Sequence, residues 1–524
     1  MRNTASKLMG VVSPSGASRS SRRRRGAAFI AVAAAATLAL VGCTSTPATN
    51  PGSGSSSQVV IANAEPATAA YWDPAASFGL VDDQVASLVY DTLLSMGPDG
   101  KLGPNLATEW DRVSDTEVTF TIRDDAKFHD GTPVTADDVV ASLSRLMDPE
   151  STLAKTALLS SGTVTADGNV VTVTTDQPFG PLENSLANIS ILAKADIDNP
   201  DNFSKTANGS GPYKFVSYEG DDITLEANED YWGGAPDIKT VILRYIADAD
   251  ARYNALLSGQ VDIATRVGPS YVAQVKSNDD FHVETVSPPS QIVVISQHNG
   301  PLADQKIREA IAYAVDRESI AKNIMEGVNA VSENALPTTL ESYKPADNTF
   351  AYDPEKAKAL LAEAGVANGL TLTMATSTLV PNQLEIDQAI VQNLEAVGIT
   401  VDVTQLEVGE FRTTYNTYDL SMNTLASFNN DPGFILATFV GSTGEAVFHL
   451  TDPKVDELVA TQDATVGDAR NAAINDAATY LWDTQATLFL TDETWSTIVN
   501  NRVEGYVRAP LVGEPLLKDA TLSE

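Results

Sequence analysis

The sequence is poor in residues that staple folds or carry out catalysis. It has one cysteine in 524 residues, so it makes no intrachain disulfide and must be held by its core. It has four histidines, His129, His282, His298 and His449, and none has a partner at metal-chelating spacing. No G-x-S-x-G elbow occurs. The Gly209-Ser210-Gly211-Pro212 turn has the wrong spacing, and Pro212 does not suit a nucleophile-bearing turn. No phosphate-cradling P-loop and no short-period repeat are present, which excludes P-loop NTPases, solenoids and propellers. Basic residues are scarce too, 34 Lys and Arg against 69 Asp and Glu. So negative a surface repels nucleic acid and anionic lipid. No catalytic residue, metal or other cofactor is expected.

The basic residues that exist are concentrated at one end. The first 43 residues hold seven of them and no acidic residue, which leaves 27 against 69 beyond and a net of −42. Arg19 and Arg22 to Arg25 form a basic start, and Gly26 to Val41 is a run of small and apolar residues. At about sixteen residues it is short for a membrane span, which needs roughly twenty, but suits an export signal. It ends in Leu40-Val41-Gly42-Cys43, which looks like a bacterial lipobox, where the cysteine is lipidated and the chain is cut before it. Residues 1–42 are therefore read as a lipoprotein signal peptide and Cys43 as the lipid attachment. Several acyl chains, at ~0.8 kcal/mol per buried CH₂, hold a protein to the outer face of a membrane where one would not. Residues 43–57, rich in Ser, Thr, Pro and Gly, read as a flexible tether. The roughly 465 residues that follow suffice for two or three lobes.

Strand and helix patterns alternate beyond the tether, which predicts an α/β fold. Val59-Val60-Ile61 and Val118 to Ile122 read as strands, and Thr163 to Thr174 as a hairpin turning at Asp167-Gly168. Thr135 and Asp138 suggest a capping box before Val139, Leu143, Leu146 and Met147. Asp304 is placed to cap a helix whose Ile307, Ala310, Ile311, Ala314 and Val315 share one face. Asp353-Pro354 starts another helix that stops at Gly365. Ile386 to Val397 is a third, ending at Gly398 before the strand Ile399 to Val403. Ser287-Pro288-Pro289-Ser290 interrupts the pattern as a candidate crossover between lobes.

Several blocks, in order, carry a family likeness. They are Phe128-His129-Asp130-Gly131-Thr132-Pro133 through Val139, Gly209 to Phe215, and Asn228 to Gly234 running on through Arg252 and Ser258 to Asp262. Leu302 to Ala310 with Asp316-Arg317 follows. With these the chain resembles the family 5 extracellular solute-binding proteins, from about Val59 to Val507. The resemblance implies a two-lobed periplasmic-binding-protein-like fold, type II in its large three-subdomain form, with the ligand cleft between the lobes. It places residues 58–289 plus 491–524 in lobe I and 290–490 in lobe II. It further implies a monomer that encloses a peptide or other small molecule by hinge closure and delivers it to an ABC permease. The motif residues themselves read as scaffold: Tyr231 and Trp232 pack, and Arg308 and Asp316 pair or cap. An exported hydrolase, or a surface lipoprotein with a structural role, is the rival class.

In the family's peptide binders an aromatic-x-x-aspartate segment holds the peptide ammonium before an acidic-proline pair. The matching stretch here puts Leu425 at the aromatic and Phe428 at the aspartate, with Asp431-Pro432 as the pair. A phenyl ring does not neutralise an ammonium as a carboxylate does, although cation–π contact supplies ~0.5–2 kcal/mol. A register shifted by three would give that role to Asp431. The substrate-binding candidates are Phe428, Asn429, Asn430 and Asp431, then Tyr71, Trp72 and Asp73 after the first strand. Gln297, His298 and Trp495 complete them. The alternatives to a peptide are a sugar, an opine-like compound or a metal chelate.

Overall fold

Val59 to Asn63 are all buried, so the first strand must lie at the centre of a sheet covered on both faces. A computed structural model describes residues 57–68, 72–76, 79–204, 206–340, 342–440, 450, 452–508 and 515–523. The expected anchor Cys43, its leader, all but the last residue of the tether, Tyr71 and His449 lie outside the described residues. The first strand, Gln58–Asn63, is the middle of seven. Their order is Phe281–Val286, Trp495–Asn500, Ile263–Ala264, Gln58–Asn63, Thr240–Tyr245, Asp222–Ala227 and Tyr213–Glu219. The central strand runs parallel to both neighbours, and every other pair is antiparallel. Alternate side chains feed two cores: Val59 and Ile61 join Tyr213, Leu225 and Leu243, while Val60 and Ala62 join Tyr253, Leu256 and Ile498.

A second sheet has five strands, ordered Ile399–Gln405, Leu370–Thr376, Leu420–Ala426, Ser290–Ser296 and Leu488–Asp492. Every residue of Ser290–Ser296 is buried. A third, four-stranded sheet orders Ala107–Ser114, Glu117–Ile122, Val170–Thr175 and Gly162–Asp167. Its Val118, Phe120 and Ile122 point inward as the period-two pattern requires, and Gly168 turns the hairpin at φ +63°. The helices start where the caps are. The Asp138 carboxylate accepts from Thr135 N at 2.8 Å and Thr135 Oγ1 at 2.6 Å before helix Ala136–Met147. Asp304, Asp316 and Asp353 cap the helices Gln305–Ala314, Arg317–Asn323 and Pro354–Glu363. Helix Gln383–Ala396 ends before Gly398, whose φ is +94°. Arg308 does not pair with Asp316. Its guanidinium donates to the carbonyls of Leu302, Ala303, Thr484 and Gln485 at 2.9–3.1 Å.

The chain passes between the two large sheets twice. It leaves the first at Ser287-Pro288-Pro289 and returns at Glu493-Thr494. Thr491 and Asp492 stay with the second sheet, two residues beyond the expected boundary at 490. Asp492 is held there because its carboxylate accepts from Gln291, Ser332 and Thr338. One continuous apolar cluster joins the four-stranded sheet to the five-stranded one, through residues such as Phe120, Leu186, Ile292 and Phe434. No helix among the described residues is long and apolar enough to cross a membrane.

Asp387, on helix Gln383–Ala396, is buried against the second sheet, and its Oδ2 accepts from Thr376 Oγ1 at 2.6 Å. Burial pushes its pKa up from 3.8 to about 7. The folded chain keeps this proton to a higher pH than the unfolded one, so the group removes stability as pH rises from about 4 through 7. Asp387→Asn is therefore expected to be more stable than the wild type at pH 8, by about 2–4 kcal/mol, with the gap closing toward pH 4. Urea titrations at the two pH values check this, and equal stability at pH 8 refutes it.

Candidate functional site

The lobes meet in two zones. In the first, next to the crossings, Arg266, Val267, Trp495 and Ser496 of the seven-stranded lobe face Ile292, Met325, Asn329, Pro381 and Asn382 of the other. They enclose a cavity of about 40 Å³. Arg266 stands at the carboxyl end of strand Ile263–Ala264 with φ +50°, a left-handed backbone that a long side chain rarely adopts. Its guanidinium lies 5.1 Å from the centre of the Trp495 ring, 3.1 Å from Glu65 and 3.8 Å from Glu493. Trp495 is thus brought to the interlobe surface.

In the second zone, the loop after strand Leu420–Ala426 is stitched to the opposite lobe. Asn188 Nδ2 donates to the main-chain oxygen of Phe428. Asn429 Nδ2 donates to Ser185 Oγ at 3.0 Å, Asn430 Nδ2 to Gly100 O at 3.2 Å, and Asn184 Nδ2 to Asn430 O at 3.1 Å. Asn430 takes φ +55°, a conformation asparagine tolerates better than most residues. The Phe428 ring is half-buried and sits edge-on to Phe434 at 5.9 Å. Asn188 is itself held by Lys155, whose Nζ donates to Asn188 O and Oδ1 at 3.1 and 3.2 Å. Lys155 pairs with Asp83 at 2.9 Å, both almost wholly buried. Burial pushes the Asp83 carboxyl up and Lys155 pulls it back. Sequence reasoning missed Lys155 and Asn188 because neither stands in a motif; only the fold brings them to the loop.

Asp431 is occupied. Arg470 donates to both of its oxygens at 2.7 Å, and Gly433 N donates to Oδ1 at 2.8 Å as the cap of helix Pro432–Ile435. The shifted register, with Asp431 taking a solute ammonium, is therefore corrected: this carboxylate is engaged by a buried bidentate pair. Gln297 and His298 are corrected as well. They follow the far end of strand Ser290–Ser296, roughly 20 Å along the strand from the crossing. There Gln297 N donates to Asp419 O at 3.0 Å, and His298 Nε2 lies 2.6 Å from Ala486 O. Burial depresses the His298 pKa to about 4, which keeps the ring neutral. Trp72 packs edge-on to Phe215 at 6.1 Å, and Asp73 forms a double hydrogen bond with Arg145.

A larger cavity of about 590 Å³ has walls, among the described residues, from one lobe alone, including Asp83, Asp91, Lys155, Trp232 and Lys518. Three motif residues converge on Asp91 in its wall: Ser210 Oγ at 3.0 Å, Tyr231 Oη at 2.9 Å and Trp232 Nε1 at 3.0 Å. Burial raises the Asp91 pKa to about 6 against these donors. Gly209 is required for a steric reason, since a Cβ there would lie 1.8 Å from Val89 O. His129 Nε2 lies 3.0 Å from Gly211 O. These blocks build scaffold. Among the described residues no group of three or more His, Cys, Asp or Glu is placed to hold a metal.

The model of the bacterial extracellular solute-binding proteins, family 5, matches residues 101–446, well over half of the chain. The dipeptide-binding protein of Escherichia coli (strain K12) is 27% identical over 453 residues, which cover 78% of this chain and 84% of that protein. A glutathione-binding protein of Pectobacterium atrosepticum is 27% identical over 466 residues, 84% of this chain and 89% of that one. The solved structure of the ABC transporter substrate binding protein CtaP from Listeria monocytogenes has the same fold. It superposes with a TM-score of 0.81 at 22% identity, over 89% of this chain and 99% of that one.

The Asp431–Arg470 pair predicts a stability cost rather than a binding one. Arg470→Met strands a buried carboxylate and is expected to cost about 3–5 kcal/mol. Adding Asp431→Asn should recover most of that loss. A double-mutant cycle in urea measures the coupling, and additive single effects refute the assignment.

Proposed function

The chain belongs to the bacterial extracellular solute-binding proteins of family 5, and from that premise we propose that it captures a peptide or peptide-like solute between its lobes and hands it to an ABC permease. The family is one of binding proteins, not enzymes. The observation that carries the reading is the loop 427–431, bonded from one lobe to two separate segments of the other, around residue 100 and along residues 184–188. Such contacts exist only while the lobes are together, so they contribute to the closed form and not to the open one. A solute held between the lobes adds to the same balance, because it gains contacts to both walls only on closure. Residues 58–289 with the carboxyl-terminal stretch act as one lobe and the stretch from 290 through Asp492 as the other, with the pivot at Ser287-Pro288-Pro289 and Glu493-Thr494. The permease reads the closed pair. Relatives whose names state dipeptide and glutathione binding support a peptide-like solute.

A second reading, a non-peptide solute such as a sugar, an opine-like compound or a metal chelate, is favoured by one observation. Phe428 stands where an ammonium-binding aspartate is expected, and Asp431 is committed to Arg470. The binding candidates that remain are Phe428, Asn429, Asn430 and Trp495, together with Tyr71 and Trp72 after the first strand. Cys43 keeps this monomer, exported and lipid-anchored, on the outer face of the membrane near its permease.

A thermal-shift screen over peptides, oligosaccharides, opines and metal chelates tests the solute. Stabilisation by a peptide at 100-fold excess over Kd is expected to reach about 2.7 kcal/mol. Stabilisation by a sugar and by no peptide sinks the leading reading. For the anchor, Cys43→Ser is expected to abolish labelling by radioactive palmitate and to release protein or leave an uncleaved precursor. Unchanged labelling refutes it.

A further inference from the structure

Arg508, in the short strand Val507–Arg508, is buried in the lobe that carries Trp495. Nε, Nη1 and Nη2 of its guanidinium have no hydrogen-bond partner among the described residues. Its Cζ lies 5.1 Å from the centre of the Trp495 ring, the same ring that Arg266 approaches to 5.1 Å. The two cations are treated differently. Arg266 is compensated by Glu65 and Glu493, whereas among the described residues no carboxylate is paired with Arg508. Glu284, which faces Thr497 across the strand pair, turns to His282 at 3.5 Å. In a chain with 69 acidic residues against 34 basic ones, a buried cation with no anion among the described residues is not a shortage of anions. Cation–π attraction to one indole offsets only part of what desolvation costs a guanidinium.

The surroundings are donor-rich. Trp495 and Thr497 are alternate residues on one face of their strand, and Tyr506 precedes Arg508 by two. Trp495 Nε1, Thr497 Oγ1 and Tyr506 Oη are likewise buried and without a hydrogen-bond partner among the described residues. Burial raises the Tyr506 phenol while the Arg508 charge lowers it, so the two lie in each other's field. A guanidinium, two hydroxyls and an indole N–H supply several donors and one excess positive charge. That is the complement of a carboxylate, which accepts through two oxygens and bonds a guanidinium in two parallel contacts. Trp495 and Arg266 line the interlobe cavity, and Arg508, against the Trp495 ring, lies one side chain behind that wall.

We propose that the solute carries a carboxylate and that Arg508, backed by Trp495, Thr497 and Tyr506, is the specificity-determining group that receives it. This rests on the solute-capture reading and sharpens it. A peptide carboxyl terminus and the carboxylates of an opine satisfy it; a neutral sugar does not.

The test has three arms on the purified protein. Small molecules released by denaturing it are identified by mass spectrometry. Trialanine, glutathione and an opine are then titrated calorimetrically, each as the free acid and as its amide. Sodium sulfate is titrated alone. The released compound is expected to bear a carboxylate, and an acid to bind at least tenfold tighter than its amide. Arg508→Met should erase that preference while the ligand-free Tm stays level or rises, because an uncompensated buried charge is removed. Arg508→Lys should keep part of the preference. Equal binding of acid and amide, or release of a neutral solute, overturns the carboxylate assignment and leaves solute capture standing. A fall in Tm for Arg508→Met with the preference intact makes Arg508 structural and overturns it too. Binding of sulfate alone reduces the cluster to an inorganic-ion site. The absence of any released or bound solute overturns both readings.

Discussion

Glu493 N donates to Ser290 O at 2.9 Å, and Ser290 Oγ donates to the Glu493 carboxylate at 2.8 Å. Beside them, Ser287 Oγ and Thr494 Oγ1 lie 3.1 Å apart. These bonds hold together the two places where the chain crosses between its large sheets. The crossings run side by side, so rotation of one lobe against the other is confined to a narrow seam. Two prolines, Pro288 and Pro289, limit the backbone on one side of that seam. Glu493 also reaches Arg266, which connects the seam to the wall of the cleft. The interlobe cavity and the packing around Trp495 are arranged around that seam.

Away from the seam, polar contacts between the lobes stand beside the apolar cluster that joins the four-stranded sheet to the five-stranded one. Asp83, Lys155 and Asn188 form a buried chain that ends on the main chain of Phe428. An ion pair this deep is weak support for stability, since desolvation offsets much of its Coulomb attraction. Its value here is positional. It fixes the Asn188 side chain at the height of the facing loop, and the hydrogen bonds of Asn184 and Ser185 fix the same loop on either side. The strongly acidic exterior and this buried lysine are separate matters: net charge governs what the surface repels, while the interior is settled pair by pair.

Elements with a strong period or a cap are legible in the amino-acid sequence alone. The strand Gln58–Asn63, the Thr135/Asp138 helix start and the Gly168 hairpin follow from local rules, and so does the crossover at Ser287. The site is less so. Trp495 does reach the interlobe surface, and Asn429 and Asn430 do bridge the lobes. Asp431 misleads a reader of the sequence because its partner Arg470 is 39 residues away and belongs to no motif. Gln297 and His298 mislead because the strand they follow runs away from the cleft. Asp91, Lys155, Asn188 and Arg508 leave no mark in the sequence, since a lone polar residue looks the same whether it faces solvent or a buried partner.

Asn188 grips the carbonyl of Phe428 and not its ring. Every amino acid offers that same oxygen. The latch between the lobes is therefore indifferent to which side chain stands at 428, while the space beside it is not. Cargo preference at this loop is free to drift by single substitutions without loosening the clasp, so one scaffold can be retuned from solute to solute and still close.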